Sequence, residues 1–234
     1  MKINSILAMS ALPLVMASSI ASAQTLDVKI INLTQGMYFT PLLVSSHDAS
    51  QHLFESGTVA SVALAAMAEG GDISGLVSAS EALGAVNSEN PANGLLAPSS
   101  STTLTDFNTG TNEYLSITAM LLPTNDGFVG LDSWEIPEAA GTYTIHLNAY
   151  DAGSEANDEI INGGAALGTL GIPADPGANN GTGASGVTST ETNETVHIHR
   201  GNVGDTDSNA GVSDVDSRVH RWLNPVAKVV VTVK

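Results

Sequence analysis

Residues 113–158 read EYLSITAMLLPTNDGFVGLDSWEIPEAAGTYTIHLNAYDAGSEAND, and their periodicity decides the fold. From Tyr114 to Leu122, Leu115, Ile117, Ala119 and Leu121 fall on one face and Tyr114, Ser116 and Thr118 on the other. Period-2 alternation of this kind predicts a strand with one face buried. Pro123-Thr124-Asn125-Asp126-Gly127 is a cluster of turn formers. A second strand is predicted over Phe128–Ile136, followed by the turn Pro137-Glu138-Ala139-Ala140-Gly141. Tyr143, Ile145, Leu147 and Ala149 alternate with Thr144, His146 and Asn148 in a third strand, which ends in Asp151-Ala152-Gly153-Ser154-Glu155. In an up-down-up arrangement the first and third strands run the same way. The loops carrying Asp126 and Asp151/Glu155 must then leave the sheet at the same end. No Lys or Arg lies between Lys29 and Arg200 to neutralise these acids. Three carboxylates on flexible loops suit a hard cation, and Ca²⁺ fits best because it takes several oxygen ligands. Asp158 is expected to lie outside that shell.

Outward from this stretch, residues 1–23 carry the pattern of a signal peptide. Lys2 supplies the positive end, Ile6–Ala17 an apolar segment, and Ala21-Ser22-Ala23 a cleavage site before Gln24. The expectation is export, with residues 24–234 forming one domain of mainly β structure. The sequence has no cysteine, although export would permit disulfides, so packing and sheet ladders must supply the stability. The formal net charge is −17, which argues against binding nucleic acid or an anionic membrane by direct attraction. Most of the acids are expected to be solvated surface.

Leu26–Leu33 reads as an opening strand. Thr58 is a candidate cap for a helix over Val59–Glu69, with Val59, Val62, Ala63 and Ala66 at helical spacing and Gly70-Gly71 as its stop. A weaker helix is predicted between Ser74 and Ala85, and a strand over Thr102–Phe107. Residues 163–190 are rich in Gly, Ser and Thr and predict a long mobile surface insertion that buries little. Val196 and Ile198 are predicted to point inward from a strand over Thr195–His199, with His197 and His199 outward. The last strand, Lys228–Lys234, carries Val229, Val231 and Val233 on one face.

Three segments in order carry a family resemblance: MLLPTNDGFVGLDSW (120–134), YDAGSEANDE (150–159) and RWLNPVAKVVVTV (221–233). The helical stretch HDASQHLFESGTVASVALAAMAEGGD (47–72) is similar as well. Together they resemble the spondin N-terminal domain, the module of F-spondin and of many exported bacterial proteins. The resemblance covers most of residues 26–234, apart from the glycine-rich stretch and the 201–217 loop. It implies an antiparallel C2-like β-sandwich with one or two short helices and calcium held by loop carboxylates. Carried over, the family's acids fall on Asp126, Asp151 and Glu155. Glu155 departs from the aspartate of animal members, and the absent cysteines are a second departure.

The implied role is that of a cell-surface or extracellular binding or adhesion module, whose partner is a protein or glycan of the surface or matrix. The alternative is a secreted, glycan-directed hydrolase using the same carboxylates, with Asp126 and Glu155 as its pair. No nucleophile motif stands out: there is neither a G-x-S-x-G elbow nor an H-E-x-x-H helix. Two further patterns offer a second metal. Asp205–Asp216 has oxygens at alternating positions like an EF-hand loop, but its glycine is one place late and its twelfth residue is aspartate. A solvated acidic loop is the favoured reading there. His197 and His199, about 7 Å apart on a strand, suit Zn²⁺ or Cu²⁺ if His146 or His220 joins them, and suit plain polar surface otherwise.

Overall fold

The structure is a computed structural model and describes residues 23–164, 166–177, 180–187, 190, 192–207 and 209–234. The predicted signal peptide lies outside the described residues except for Ala23. The elements are β1 (Thr25–Asn32), β2 (Tyr38–Phe39), β3 (Leu43–His47), α1 (Val62–Gly70), α2 (Ser74–Glu81), β4 (Val86–Glu89), β5 (Ser101–Asn108), β6 (Tyr114–Leu122), β7 (Gly127–Glu135), β8 (Gly141–Asp151), β9 (His197–Ile198) and β10 (Ala227–Val233). Among the described residues no helix is long and apolar enough to cross a membrane.

The three strands read from residues 113–158 are β6, β7 and β8. β6 pairs antiparallel with β7, and β7 with β8. β6 and β8 therefore run the same way, and their following loops emerge together. Beyond them the strand order is β4-β3-β6-β7-β8-β10-β1-β5, with β2 on β6 and β9 on β8.

The strands form two groups, β5-β1-β10-β8 and β4-β3-β6-β7-β8, joined in one continuous path. β8 makes the join. Its residues 141–147 pair with β10, whereas 148–151 pair with β7, so one long strand serves both halves. The path curls until its distant members meet. Val28 and Ile30 of β1, Val229 and Val231 of β10, and Ile117 and Leu121 of β6 share one apolar core. The result is a mainly antiparallel, nearly closed, barrel-like sheet.

A second core lies on the outer face, and it corrects the one-sided reading of β6. All residues from Leu115 to Leu122 are buried. Met120 and Leu122, with Leu43 and Phe128, pack under Leu64 and Met67 of α1 and Leu76 and Val77 of α2. The helices cover the face that alternation alone assigned to solvent.

The first helix begins later than Thr58. Ser61 is its cap, its side chain accepting from the Leu64 N–H at 3.1 Å, while the Thr58 hydroxyl donates to the Glu55 carbonyl. Val59 and Val62, read as part of the apolar face, are 72% and 74% exposed. The predicted stop holds: Gly71 sits at φ 73°, and its N–H closes onto Met67.

The glycine-rich stretch is anchored more firmly than its composition suggests. Ile172 is fully buried, bridges Ile161 in parallel, and packs with Val215 in a small third core.

Candidate functional site

Asp126 closes the turn after β6, and Asp151 is the last residue of β8. The rung Gly127–Asp151 begins the β7–β8 ladder, so the two acids meet where the strands start and stop. The Ala152 N–H adds a hydrogen bond to the Asp126 carbonyl at 3.2 Å. Gly153 then turns the chain at φ 69°. A Cβ there would lie 2.7–2.8 Å from the backbone of residues 193–195, so only glycine admits this close approach. The turn folds Glu155 back toward Asp126. Asp126, Asp151 and Glu155 are all buried, at 0%, 2% and 4% exposure.

The hydrogen bonds at this corner are unevenly shared. Asp126 Oδ2 accepts from the Ser154 N–H at 2.8 Å, the Ser154 hydroxyl at 3.2 Å and the Glu155 N–H at 3.0 Å. Asp126 Oδ1 is buried and receives no donor. Asp151 Oδ1 accepts from the Gly153 N–H at 2.9 Å, and its Oδ2 from the Asn157 amide at 2.8 Å. Glu155 accepts from the Gly171 N–H at 3.1 Å and the Asn125 amide at 3.4 Å.

Electrostatics follow from this enclosure. Burial, with repulsion from Asp151 added, pushes the Asp126 carboxyl up to about 7 despite the donors from residues 154 and 155. Burial also pushes Glu155 up to about 8; the Asn125 amide opposes this and the charges of Glu69 and Asp126 add to it. The corner resists carrying its full negative charge unless a positive charge joins it.

Glu69, on the last turn of α1, is a member that sequence reading missed. It is 5% exposed and accepts from the Gly168 N–H at 2.8 Å, tying the helix to the glycine-rich stretch. An acid at a buried helical position was its only signal. Asp158 was placed outside the shell, yet its carboxylate accepts from the Asn125 amide at 2.8 Å, the same amide that reaches Glu155.

The histidine pair is also placed differently from expectation. Ile198 is 49% exposed and His199 is 3% exposed, reversing the predicted faces. β9 is only two residues long, so alternation does not extend to His199. Both rings turn toward the acid corner: His197 Nε2 lies 3.7 Å and His199 Nε2 3.9 Å from Asp151 Oδ2. Neither suggested third histidine joins them. His220 faces Asp175 at 3.6 Å, and His146 stands five residues before Asp151 on β8, roughly 16 Å away by strand rise.

The Asp205–Asp216 loop uses its own acids. Asp205 accepts from the N–H groups of Asp207, Val212 and Ser213, and Asp216 is paired with Arg218. These bonds hold both carboxyls below their usual range, led by the Asp207 N–H for Asp205 and by the Arg218 side chain for Asp216. Stabilised anions with their oxygens occupied by donors make a self-braced turn, and its Asp214 is buried rather than solvated.

Sequence reading also missed a Ser-His-Asp grouping. The Ser133 hydroxyl and both Asp132 oxygens lie 3.0–3.1 Å from His52 Nδ1. A hydrolytic triad needs its serine and its carboxylate on opposite ring nitrogens. Here they share one, and Nε2 faces Glu55 at 4.0 Å, so the group lacks triad geometry.

Among the described residues, no three His, Asp or Glu side chains already converge as a metal-holding group. The donor set at the corner nevertheless suits a hard cation: carboxylate oxygens, one of them buried without a donor, in a place that repels uncompensated charge.

No curated protein matches the sequence. The spondin N-terminal family (Spondin_N) matches residues 32–159, which takes in β2 to β8 and the Asp126, Asp151 and Glu155 corner. That match spans more than half of the 234 residues, and the chain belongs to the spondin N-terminal family.

Proposed function

We propose that this protein is an exported, calcium-binding β module with a C2-like arrangement of loops, acting in binding or adhesion at the cell surface or in the matrix. The family is one of extracellular, adhesion-type modules, which supports the general role. The observation that carries the calcium reading is Asp126 Oδ1, a carboxylate oxygen buried without a donor beside a second buried acid. Asp126, Asp151 and Glu155 would hold the ion, whose charge would offset their mutual repulsion. Asp126 also binds the 154–155 backbone, so its state decides how firmly the turn after β8 is held. That turn and the 123–126 loop form the end of the sheet at which a protein or glycan partner would dock.

The hydrolase reading has less support. Glycoside hydrolysis needs one carboxyl kept protonated and another ionised, both open to substrate. Here Asp126 and Glu155 are pushed in the same direction, and Asp126 has no exposed surface.

The test is thermal unfolding in millimolar Ca²⁺ and in chelator. A higher Tm with Ca²⁺ is expected. Superimposable curves would remove calcium from the proposal.

A further inference from the structure

We propose that the acid corner has a second, separable metal function: His197 Nε2 and Asp151 Oδ2 form a two-point site for a divalent transition metal of the zinc class. The argument starts from the hydrogen bonds that fix each ring. His197 Nδ1 lies 2.8 Å from the Thr195 carbonyl oxygen. A carbonyl only accepts, so Nδ1 carries the hydrogen and Nε2 of the neutral ring is a lone pair. This is the arrangement of metal-ligating histidines, whose far nitrogen donates to a carbonyl or carboxylate.

His199 is fixed the opposite way. The Gly201 N–H donates to its Nδ1 at 2.9 Å, so the hydrogen of the neutral ring sits on Nε2. His199 is also packed against Trp222, with ring centroids 5.0 Å apart. It is a wall of the corner, and His197 is the ligand.

The lone pair of His197 faces Asp151 Oδ2 across 3.7 Å. Asp151 Oδ2 also accepts from the Asn157 amide at 2.8 Å, and a positive centre between it and the His197 lone pair would relieve the repulsion of the two electron-rich atoms. Zinc-class bonds of about 2.0–2.1 Å to nitrogen and oxygen span such a gap at an opened tetrahedral angle. An imidazole beside a carboxylate is a donor set for zinc, copper or nickel, whereas calcium prefers oxygen alone. A second observation favours a cation at this corner: Asp126, fully buried, keeps Oδ1 without a donor, and its charge repels that of Asp151. With two side chains and water completing the shell, the site binds more weakly than a structural zinc centre. Its partially exposed His197 ring gives the ion a way in.

The site shares Asp151 with the calcium reading and does not depend on it. Zn²⁺ binding is measured by titration calorimetry on the full chain in calcium-free buffer, with Ca²⁺ titrated separately. The wild type is expected to take up one Zn²⁺ per chain at this site. His197→Gln should weaken that event by roughly tenfold or more, the scale of losing a ligand or its support. It should leave the Ca²⁺ response in place, which also shows that the variant folds. His199→Gln should retain Zn²⁺ binding, and Glu155→Gln should impair Ca²⁺ while sparing Zn²⁺. Zn²⁺ binding without any Ca²⁺ response would sink the calcium reading and leave this inference standing. The inference is overturned if the wild type binds no Zn²⁺, or if His197→Gln binds it unchanged. Loss in His52→Gln instead would also overturn it, by locating the ion at the His52–Glu55 surface pair.

Discussion

Asp126 and Asp151 meet at the first rung of the β7–β8 ladder: Asp126 immediately precedes Gly127, whose ladder partner is Asp151. Antiparallel partners lie about 5 Å apart. The β7–β8 ladder therefore forces two buried carboxylates into proximity as a condition of folding. The chain tolerates this by donating the 153–155 backbone to them, and it leaves Asp126 Oδ1 without a donor.

If calcium binds here, the native state alone can hold it. Ca²⁺ at a hundredfold excess over Kd stabilises by about 2.7 kcal/mol, which raises Tm by roughly 5–10 °C in a domain of this size. Asp151→Asn should cut that rise to less than half. Glu138→Gln, on the exposed turn before β8, should preserve it. Asp158 is a poor control because it shares the Asn125 amide with Glu155. Equal losses at positions 151 and 138 would assign the response to general acidity.

Gly130 on β7 faces an aromatic stack. A Cβ there would meet the Phe54 ring at 2.5–2.7 Å and Tyr150 at 3.1 Å. Phe54, Phe128 and Tyr150 pack mutually with centroids 4.8–5.6 Å apart, so none can retreat freely. Gly130→Ala is expected to cost about 1–3 kcal/mol by overpacking, read as a shifted denaturation midpoint. An unchanged midpoint would show that the Phe54 loop yields.

Ile172 tests whether the glycine-rich stretch is part of the fold. It is the fully buried member of the small core with Ile161 and Val215. Its backbone also joins residues 160–163 through the Ile160, Asn162 and Gly163 hydrogen bonds. Ile172→Ala should cost about 2–5 kcal/mol and open residues 163–177 to limited proteolysis. Loss of less than 0.5 kcal/mol would return the stretch to the loose insertion its composition suggests.

Residues 113–158 were legible because alternation, turn formers and strand direction all agreed. Together they place Asp126, Asp151 and Glu155 at one end of the sheet. Other features depended on long-range packing. The outer face of β6 carries Thr118 and Ser116, and partners distant in sequence bury it: the Thr118 hydroxyl reaches Met67 sulfur of α1 at 3.8 Å, and the Ser116 hydroxyl lies 2.7 Å from His47 Nε2. Thr58 and Ser61 are both competent caps, and local sequence does not choose between them. His199 was misplaced because β9 ends at Ile198, after which period-2 counting has no ladder to enforce it. Ile172 looked isolated because its partners, Ile161 and Val215, lie 11 and 43 residues away along the chain.

The sharpest consequence of the corner is its pH dependence. Asp126 and Glu155 have folded pKa values raised to about 7 and about 8, against ordinary values of 3.8 and 4.5. Between pH 4 and 8 the native state therefore holds more protons than the unfolded chain. By linkage, stability falls as pH rises through that window, because the buried acids must be ionised at a cost the unfolded chain does not bear. The metal-free protein should have a higher Tm at pH 5 than at pH 8, the reverse of a protein whose acids are stabilised by partners. Calcium should invert the trend, since the ion favours the ionised acids: its Tm increment grows from pH 5 to pH 8, and binding releases protons below pH 7. Asp126→Asn removes one of the two raised acids and should make the metal-free profile shallower, leaving the part due to Glu155, while abolishing the calcium increment. The measurement is a set of melting curves across pH 5–8 with calcium and with chelator. Metal-free stability that rises with pH would show that Asp126 and Glu155 are not the strained acids of this fold.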